Sequence, residues 1–531
     1  NRHAARRDSL ARNDVDGGDP GRQTVGPVLP DVALDEGRQG SAEGALTMKN
    51  PIRHCPGLGE SARGLRVTSL VVSVAVLAGC QTTQPSVPNI QGELPARYRN
   101  AVDAAVATAS SETPNAEWWK ELGSPELNAM VAQALATNPE LLSAEQQVIQ
   151  AQAREKQARA GMLPSITAPI RAVEQSQGSR TDSQNSSQLL LAGTYHLDVW
   201  GEQSALATSS KLQVQRAIHD KENLQRLLVG GLVDTYVALL AARDNLDNAR
   251  LTAEMLHQGV LIAQQRLALG DGTIDELERN KGAMAAQQVN VAGIENQIDE
   301  LLSTLSRYLG VLPGSLRLGE VGLADLRTPN VRMGIPSDLL FARPDIRAME
   351  DRMLAADANI EVARARLMPS FDLATQIGYT GSSIAGLLQP QNLAASTVAS
   401  LVVAIFDGGA RKAERAFAQS YYDEMVITYR KTILQAVREV ESAQTGVRTA
   451  TRRFEAQAVA LQSAQQVLKL GGDAYGVGAI DQAGLLEQRK YYQHALDEVK
   501  RAKADVLRAH ANLAVALGLG GSLTTQQVGN L

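Results

Sequence analysis

The chain has 531 residues and a formal net charge of −5, so it is long enough for an extensive core and carries no basic excess suited to nucleic acid. Hydrophobic residues reach 44 % while aromatic residues are only 4 %, a balance that fits long, closely packed helices better than an aromatic-rich globular core. Two cysteines leave no room for a disulfide framework.

Residues 1–47 are rich in Arg, Asp and Gly and show no apolar period. They read as upstream translation from a misplaced start or as a disordered extension, because Met48 is the first methionine. Residues 48–79 read as a signal peptide: Arg63 and Arg66 precede an apolar run, Val67 to Gly79, that closes on small residues. That run is shorter than the roughly 20 residues a spanning helix needs. Leu77-Ala78-Gly79-Cys80 resembles a bacterial lipobox, whose cysteine takes a diacylglyceryl chain and becomes the first residue; an uncleaved anchor is the alternative. Cys55 would leave with the signal, so the mature chain would hold neither a free thiol nor a disulfide. Residues 80–114 read as a lipidated linker, and Gln81 is compatible with outer-membrane sorting.

The remainder occurs twice. Asn138-Pro139-Glu140-Leu141 and Met162-Leu163-Pro164-Ser165 reappear as Arg343-Pro344-Asp345-Ile346 and Leu367-Met368-Pro369-Ser370, both 205 residues later. Ala268 to Asp275 matches Ala474 to Asp481 at a spacing of 206, and Leu309-Gly310 matches Leu517-Gly518 at 208. Three ordered matches at nearly one spacing mark a tandem duplication. The repeats are placed at 115–320 and 321–520, with a tail at 521–531.

Each repeat opens with a helix whose first turn carries Pro139 or Pro344, with Asn138 as N-cap of the first. Each helix stops before Pro164 or Pro369. Strands follow. Leu189, Leu191, Tyr195, Leu197 and Val199 alternate with Ala192, Thr194, His196 and Asp198, as Phe371, Leu373, Ile377 and Tyr379 alternate with Asp372, Ala374, Gln376 and Gly378. Polar loops are expected at Gln175–Ser187 and about Gly381–Ala395. Proline-free stretches at 202–268 and 409–473 then predict two helices each on the order of 100 Å long. In the second, Phe417, Tyr421, Met425, Thr428, Thr432, Ala436, Val440, Ala443 and Val447 step as a coiled-coil seam. Gly270/Gly272 and Gly476/Gly478 break these helices, and a returning helix makes each an αα-hairpin.

Four strands of about ten residues cannot close a barrel, and an open sheet edge is not tolerated in lipid. Several chains must therefore share one barrel, and three would supply twelve strands. A soluble β-subdomain with coiled-coil arms is the alternative.

These residues together resemble the outer membrane factors, the TolC-like and OprM-like channels of tripartite efflux pumps, in their lipoprotein branch. The carrying stretches are Trp118-Trp119, Asn138 to Leu141, Tyr195 to Gly201, Gly334 to Ile346, Ala363 to Ser370, Ile405 to Gly409, Ala474 to Gly478 and Ala516 to Gly518. The resemblance implies an α+β membrane protein: a homotrimer with a 12-stranded outer-membrane β-barrel continued by a periplasmic α-helical coiled-coil barrel. In that fold two shorter helices stack beside each long one. It further implies a passive exit duct fed by an inner-membrane RND or ABC transporter through a periplasmic adaptor. No cofactor is expected. A duct for type I protein secretion and a non-conducting coiled-coil lipoprotein are the rival readings.

No glycine-rich phosphate loop, His-Glu-x-x-His or nucleophile elbow is present, so an enzyme is not indicated. By resemblance the tips Gly270, Asp271, Gly272, Gly476, Val477 and Gly478 would meet the adaptor. Asp481 and Glu487 would line a periplasmic constriction, where a threefold ring of carboxylates attracts cations; a solvated helix face is the alternative. Arg343 and Asp345 read as structural, and Trp118 and Trp119 as packing where the chain ends meet. His196 reads as a polar position on the inner strand face.

Overall fold

The computed structural model describes residues 116–176, 183–319, 321–331 and 342–521. The signal segment, Cys80, the linker to residue 114, the whole Gly334–Phe341 stretch and the tail beyond 521 lie outside these residues.

Two 22-residue helices, α2 (Pro139–Ala160) and α5 (Pro344–Ala365), open the two halves. A short α1 (Pro125–Thr137) precedes α2, with Ser124 capping it through the Leu127 amide. After α2 come β1 (Ser165–Thr167), β2 (Ile170–Ser176) and β3 (Ser183–Leu197). After α5 come β4 (Ser370–Gly381) and β5 (Leu393–Val402). The long helices α3 (Glu202–Ala268) and α6 (Ala410–Gly476) are both 67 residues, and the returning helices are α4 (Ile274–Leu309) and α7 (Gln482–Ala516). At 1.5 Å per residue, α3 and α6 extend about 100 Å. Both α2 and α4 pack along α3, as α5 and α7 pack along α6.

The two halves interlock. The sheet is antiparallel, with β3 paired to β1 and β2 on one side and to β4 on the other, and β5 outermost. β1 and β2 hold one register against β3, so they form one strand interrupted at Ala168-Pro169. Helix α5 lies between α3 and α6. The largest core joins Trp118, Trp119 and Leu122 to α1, the middle of α3 (Leu228–Leu240), the end of α4 and the end of α7. Trp118 and Trp119 meet edge to face at 6.3 Å, and a Cβ on Gly520 would sit 3.5 Å from the Trp118 indole. The first and last described segments therefore meet there.

Several sequence expectations are corrected. The hairpin tips correspond at a spacing of 208, not 206. Helices α3 and α6 start at Glu202 and Ala410, end at Ala268 and Gly476, and turn through left-handed Gly270 (φ 79°) and Gly478 (φ 74°). The apparent 206 match arose because a Gly-x-Gly occurs at each tip two residues out of phase. Gly476 is the last helical residue, in open space. Gly272 instead marks a close approach, since a Cβ there would lie 2.8 Å from the Leu267 nitrogen. The strands are longer than expected: β2 reaches Ser176, β3 begins at Ser183 and β5 at Leu393, while Val199 lies past the end of β3. The α6 seam also shifts. Its buried face is Met425, Tyr429, Ile433, Ala436 and Val440. The Thr428 and Thr432 hydroxyls bond back to the carbonyls of Glu424 and Thr428, and Phe417 is 72 % exposed.

Candidate functional site

The sheet has two chemically different faces. Residues directly opposed in an antiparallel pair share a face. Leu189 opposes Tyr379 and Tyr379 opposes Leu393; Leu191 opposes Ile377; Tyr195 opposes Leu373; Leu197 opposes Phe371, which opposes Leu401. On the other face Gln188 opposes Thr380, Ala192 opposes Gln376, and His196 opposes Asp372, which opposes Ser400. His196 Nδ1 and Asp372 Oδ1 are hydrogen-bonded at 2.8 Å. The apolar face is uncovered by the rest of the described chain: Leu191, Ile377, Leu393 and Leu401 are about half exposed. A face of this kind, in strands of this length, suits lipid on one side and water on the other.

The junction between sheet and helices is tied by polar contacts. Trp200 Nε1 donates to the Pro369 carbonyl at 2.7 Å. The Asp198 carboxylate accepts from the amides of Gln203 and Ser204 at the start of α3, as Asp407 does from Gly409 and Arg411 at the start of α6. Burial pushes the Asp198 carboxyl up, but these amide bonds outweigh it and hold it below its ordinary range.

At mid-height two buried guanidiniums close the C-terminus of α7. Arg226 Nη1 donates to the Val515 carbonyl at 2.5 Å and Arg343 Nη1 to that of Ala516 at 3.0 Å. Cations here complement the helix dipole. Arg343 also forms a bidentate pair with Asp345 at 3.0 and 2.7 Å and reaches Glu439 at 2.8 Å. Burial, with the nearby Arg343 charge, pushes Arg226 down to about 10. Arg343 and Asp345 are thus structural, as expected. Arg226 and Glu439 carried no sequence signal, because each acts through partners far along the chain, Val515 for Arg226 and Arg343 for Glu439.

The two tips differ in chemistry. At the first, Arg266 bonds Glu276 at 2.9 Å and the Asp271 carbonyl at 3.1 Å, with the Asp271 carboxylate 3.4 Å away. Thr273 caps α4 through the Glu276 amide. At the second, Val477 is 82 % exposed beside the half-exposed Tyr475. Asp481 is the N-cap of α7 and accepts from the Gly484 amide at 2.8 Å. Glu487 is exposed and ion-paired to Lys490 one turn on, while Leu485 and Leu486 beside it are buried. The structure thus brings Asp481 and the second tip together, with Glu487 further along α7.

The profile of the outer membrane efflux protein family matches residues 130–311 and 335–519. The pyoverdine export outer membrane protein OpmQ of Pseudomonas putida is 29 % identical over 462 residues, covering 85 % of this chain and 96 % of its own. The structure of the outer-membrane channel OprN superposes with a TM-score of 0.72 at 24 % identity, over 84 % of this chain and 99 % of that one. The open-state outer membrane channel MtrE of Neisseria gonorrhoeae superposes with a TM-score of 0.73 at 20 % identity, over 83 % and 98 %. This chain belongs to the outer membrane efflux protein family. It is an outer-membrane channel component of an efflux system, and its family is one of channels, not of enzymes.

Proposed function

We propose that three copies of this chain close one 12-stranded barrel in the outer membrane, continued into the periplasm by a tube of α-helices. The observation that carries this is the four-stranded sheet with one apolar face and two edges that find no partner among the described residues. Four strands cannot close, and edges in lipid must be paired. The duct is passive. An inner-membrane RND or ABC transporter supplies small molecules through a periplasmic adaptor, which meets the tips at Gly270-Asp271-Gly272 and Gly476-Val477-Gly478. Asp481 and Glu487, carried three times around the axis, give the entrance an acidic ring that favours cations. Residues 48–79 act as the signal peptide, and Cys80 carries lipid as an auxiliary anchor. Residues 115–320 and 321–520 are the two repeats.

Single-channel recording of the Met48-started, detergent-extracted protein in planar bilayers tests the reading. Cation-selective steps from an SDS-resistant trimer support it. A monomer that inserts no conductance under any voltage overturns it.

A further inference from the structure

The joint where α5, α6 and α7 meet α3 carries more positive charge than its folding needs. Arg226, Arg343 and Arg438 line one groove of about 740 Å³ together with Asp345 and Glu439. Among the described residues, three guanidiniums against two carboxylates leave one positive charge in excess. Arg343 is engaged by Asp345, Glu439 and the Ala516 carbonyl, and Arg226 by Asn223 and the Val515 carbonyl. Arg438 is exposed and has no ion-pair or hydrogen-bond partner among the described residues. Ser442, one turn further along α6, and Asn512 of α7 are also exposed in the groove.

The fold does not demand these cations. The first half ties α2 to the end of α4 with the neutral Asn138. At the offset of 208, α3 carries Gly230 and Gly231 where α6 carries Arg438 and Glu439. The groove also opens on the bare side of the helical layer. Leu227, in the groove, is half exposed and lies about two and a half turns before Tyr236, which is buried in the Trp118 core, so the two face opposite ways. Likewise Asn512 is exposed, while Leu507, Ala511 and Ala514 of the same helix belong to that core. If the Trp118 segment lay inside a tube of three copies, it would fill the bore three times over. In a duct, the bare side is therefore the lumen.

We propose that this groove is a lumenal station for organic monoanions, where the Arg438 guanidinium takes a carboxylate and Ser442 and Asn512 complete its hydrogen bonds. The inference rests on the duct reading and adds a solute class to it. A guanidinium presents paired N–H donors that match a carboxylate. Arg226 and Arg343 are held by other partners and act through their charge. One surplus positive charge suits a monoanion rather than a dianion. The volume falls within the roughly 300–1,000 Å³ of small-molecule sites, and Leu227 and Ala443 give the rest of the solute an apolar wall. Because Arg438 is exposed, the hold is loose, as conduction requires: a site must favour entry and still release. The acidic entrance does not cancel the station. Asp481 caps the far end of the 35-residue α7, about 50 Å away, several times the Debye length of about 8 Å.

Titration of the Met48-started, detergent-extracted protein with benzoate and with its neutral isostere benzamide, followed by saturation-transfer NMR, tests this. Benzoate should bind saturably and benzamide should not. Arg438→Gln should weaken benzoate about fivefold, the effect of removing one exposed charged partner. Its thermal unfolding should match the parent, because the side chain has no partner to lose. Lys412→Gln removes another exposed cation of α6, outside the groove, and should leave the titration unchanged. Equal binding of benzoate and benzamide, or an unaltered titration in Arg438→Gln, overturns the proposal. Bilayer recordings keep this apart from the duct reading. A conducting protein whose benzoate binding ignores Arg438 loses the station and keeps the duct. Arg438-dependent binding by a protein that never conducts strikes the duct and, with it, the lumenal role.

Discussion

Asn138 and Arg343 occupy the same place in the two halves: Asn138 Nδ2 donates to the Tyr308 carbonyl and Arg343 Nη1 to the Ala516 carbonyl, each at 3.0 Å. Each precedes the proline that opens α2 or α5, and each ties that helix to the end of the returning one. A left-handed glycine completes each joint. A Cβ on Gly310 (φ 65°) would lie 2.5 Å from the Thr137 carbonyl oxygen, and one on Gly518 (φ 90°) 2.7 Å from that of Ala342.

Gly518→Ala should therefore cost more than the about 1–2 kcal/mol of left-handed strain alone, because the neighbouring backbone must also move. Gly314→Ala is the matched comparison, since Gly314 is also left-handed (φ 86°) but has nothing within 4 Å of a Cβ. Thermal unfolding of the two variants should rank Gly518→Ala well below Gly314→Ala. Equal loss would show that the close approach contributes nothing.

Asp345 makes the mid-height cluster sensitive to acid. Burial pushes its carboxyl up, but hydrogen bonding to Arg343, with the charges of Arg343 and Arg226, outweighs this and holds it below the ordinary 3.8. A carboxyl depressed in the folded state contributes stability above its unfolded value and loses it as pH falls through the lower folded one. The cluster should hold at neutral pH and weaken only below about pH 4. Asp345→Ala would leave the buried Arg343 short of its bidentate partner, and removing one member of a buried pair costs about 3–5 kcal/mol. Denaturant titrations at pH 7 and pH 3 should show the variant's deficit shrinking at the lower pH.

How far the sequence reveals this arrangement differs from element to element. The duplication, the proline starts of α2 and α5, the length of α3 and α6, and the two-faced strands are all legible, because each rests on local rules of backbone geometry or alternation. The α6 seam is misplaced at Thr428 and Thr432 because threonine passes for a core residue in a stripe, whereas Tyr429 and Ile433 do the packing, and at Phe417, which is exposed. Buried pairs such as His219–Asp351, 132 residues apart, leave no local trace. At the tips the sequence locates the glycines but not their roles, since backbone angle and close approach are properties of the fold.

Those roles can be separated by substitution. Gly476→Ala places a methyl group in open space at the end of a helix and should be neutral or stabilise by up to about 1 kcal/mol. Gly478→Ala should lose about 1–2 kcal/mol locally, because φ is 74°. Hydrogen exchange of the α6–α7 tip amides should slow slightly in the first variant and quicken in the second. Equal behaviour would contradict the assignment of Gly478 as the turning residue.

Asp481 combines a measurable structural duty with the proposed entrance ring, and two variants divide them. Its carboxylate caps α7 by accepting from the Gly484 amide. Asparagine caps about as well as aspartate, whereas alanine forfeits about 1 kcal/mol. Asp481→Asn should leave local exchange and thermal stability near the parent while weakening block by divalent cations in bilayer recordings. Asp481→Ala should weaken block and loosen the first turn of α7 together. Glu487→Gln, which removes the charge and the ion pair with Lys490 but no cap, should weaken block without changing tip stability. An exposed surface pair of this kind contributes at most about 1 kcal/mol. If cation block is unchanged in both Asp481→Asn and Glu487→Gln, these carboxylates do not face the conducting path, and Asp481 is a helix cap alone.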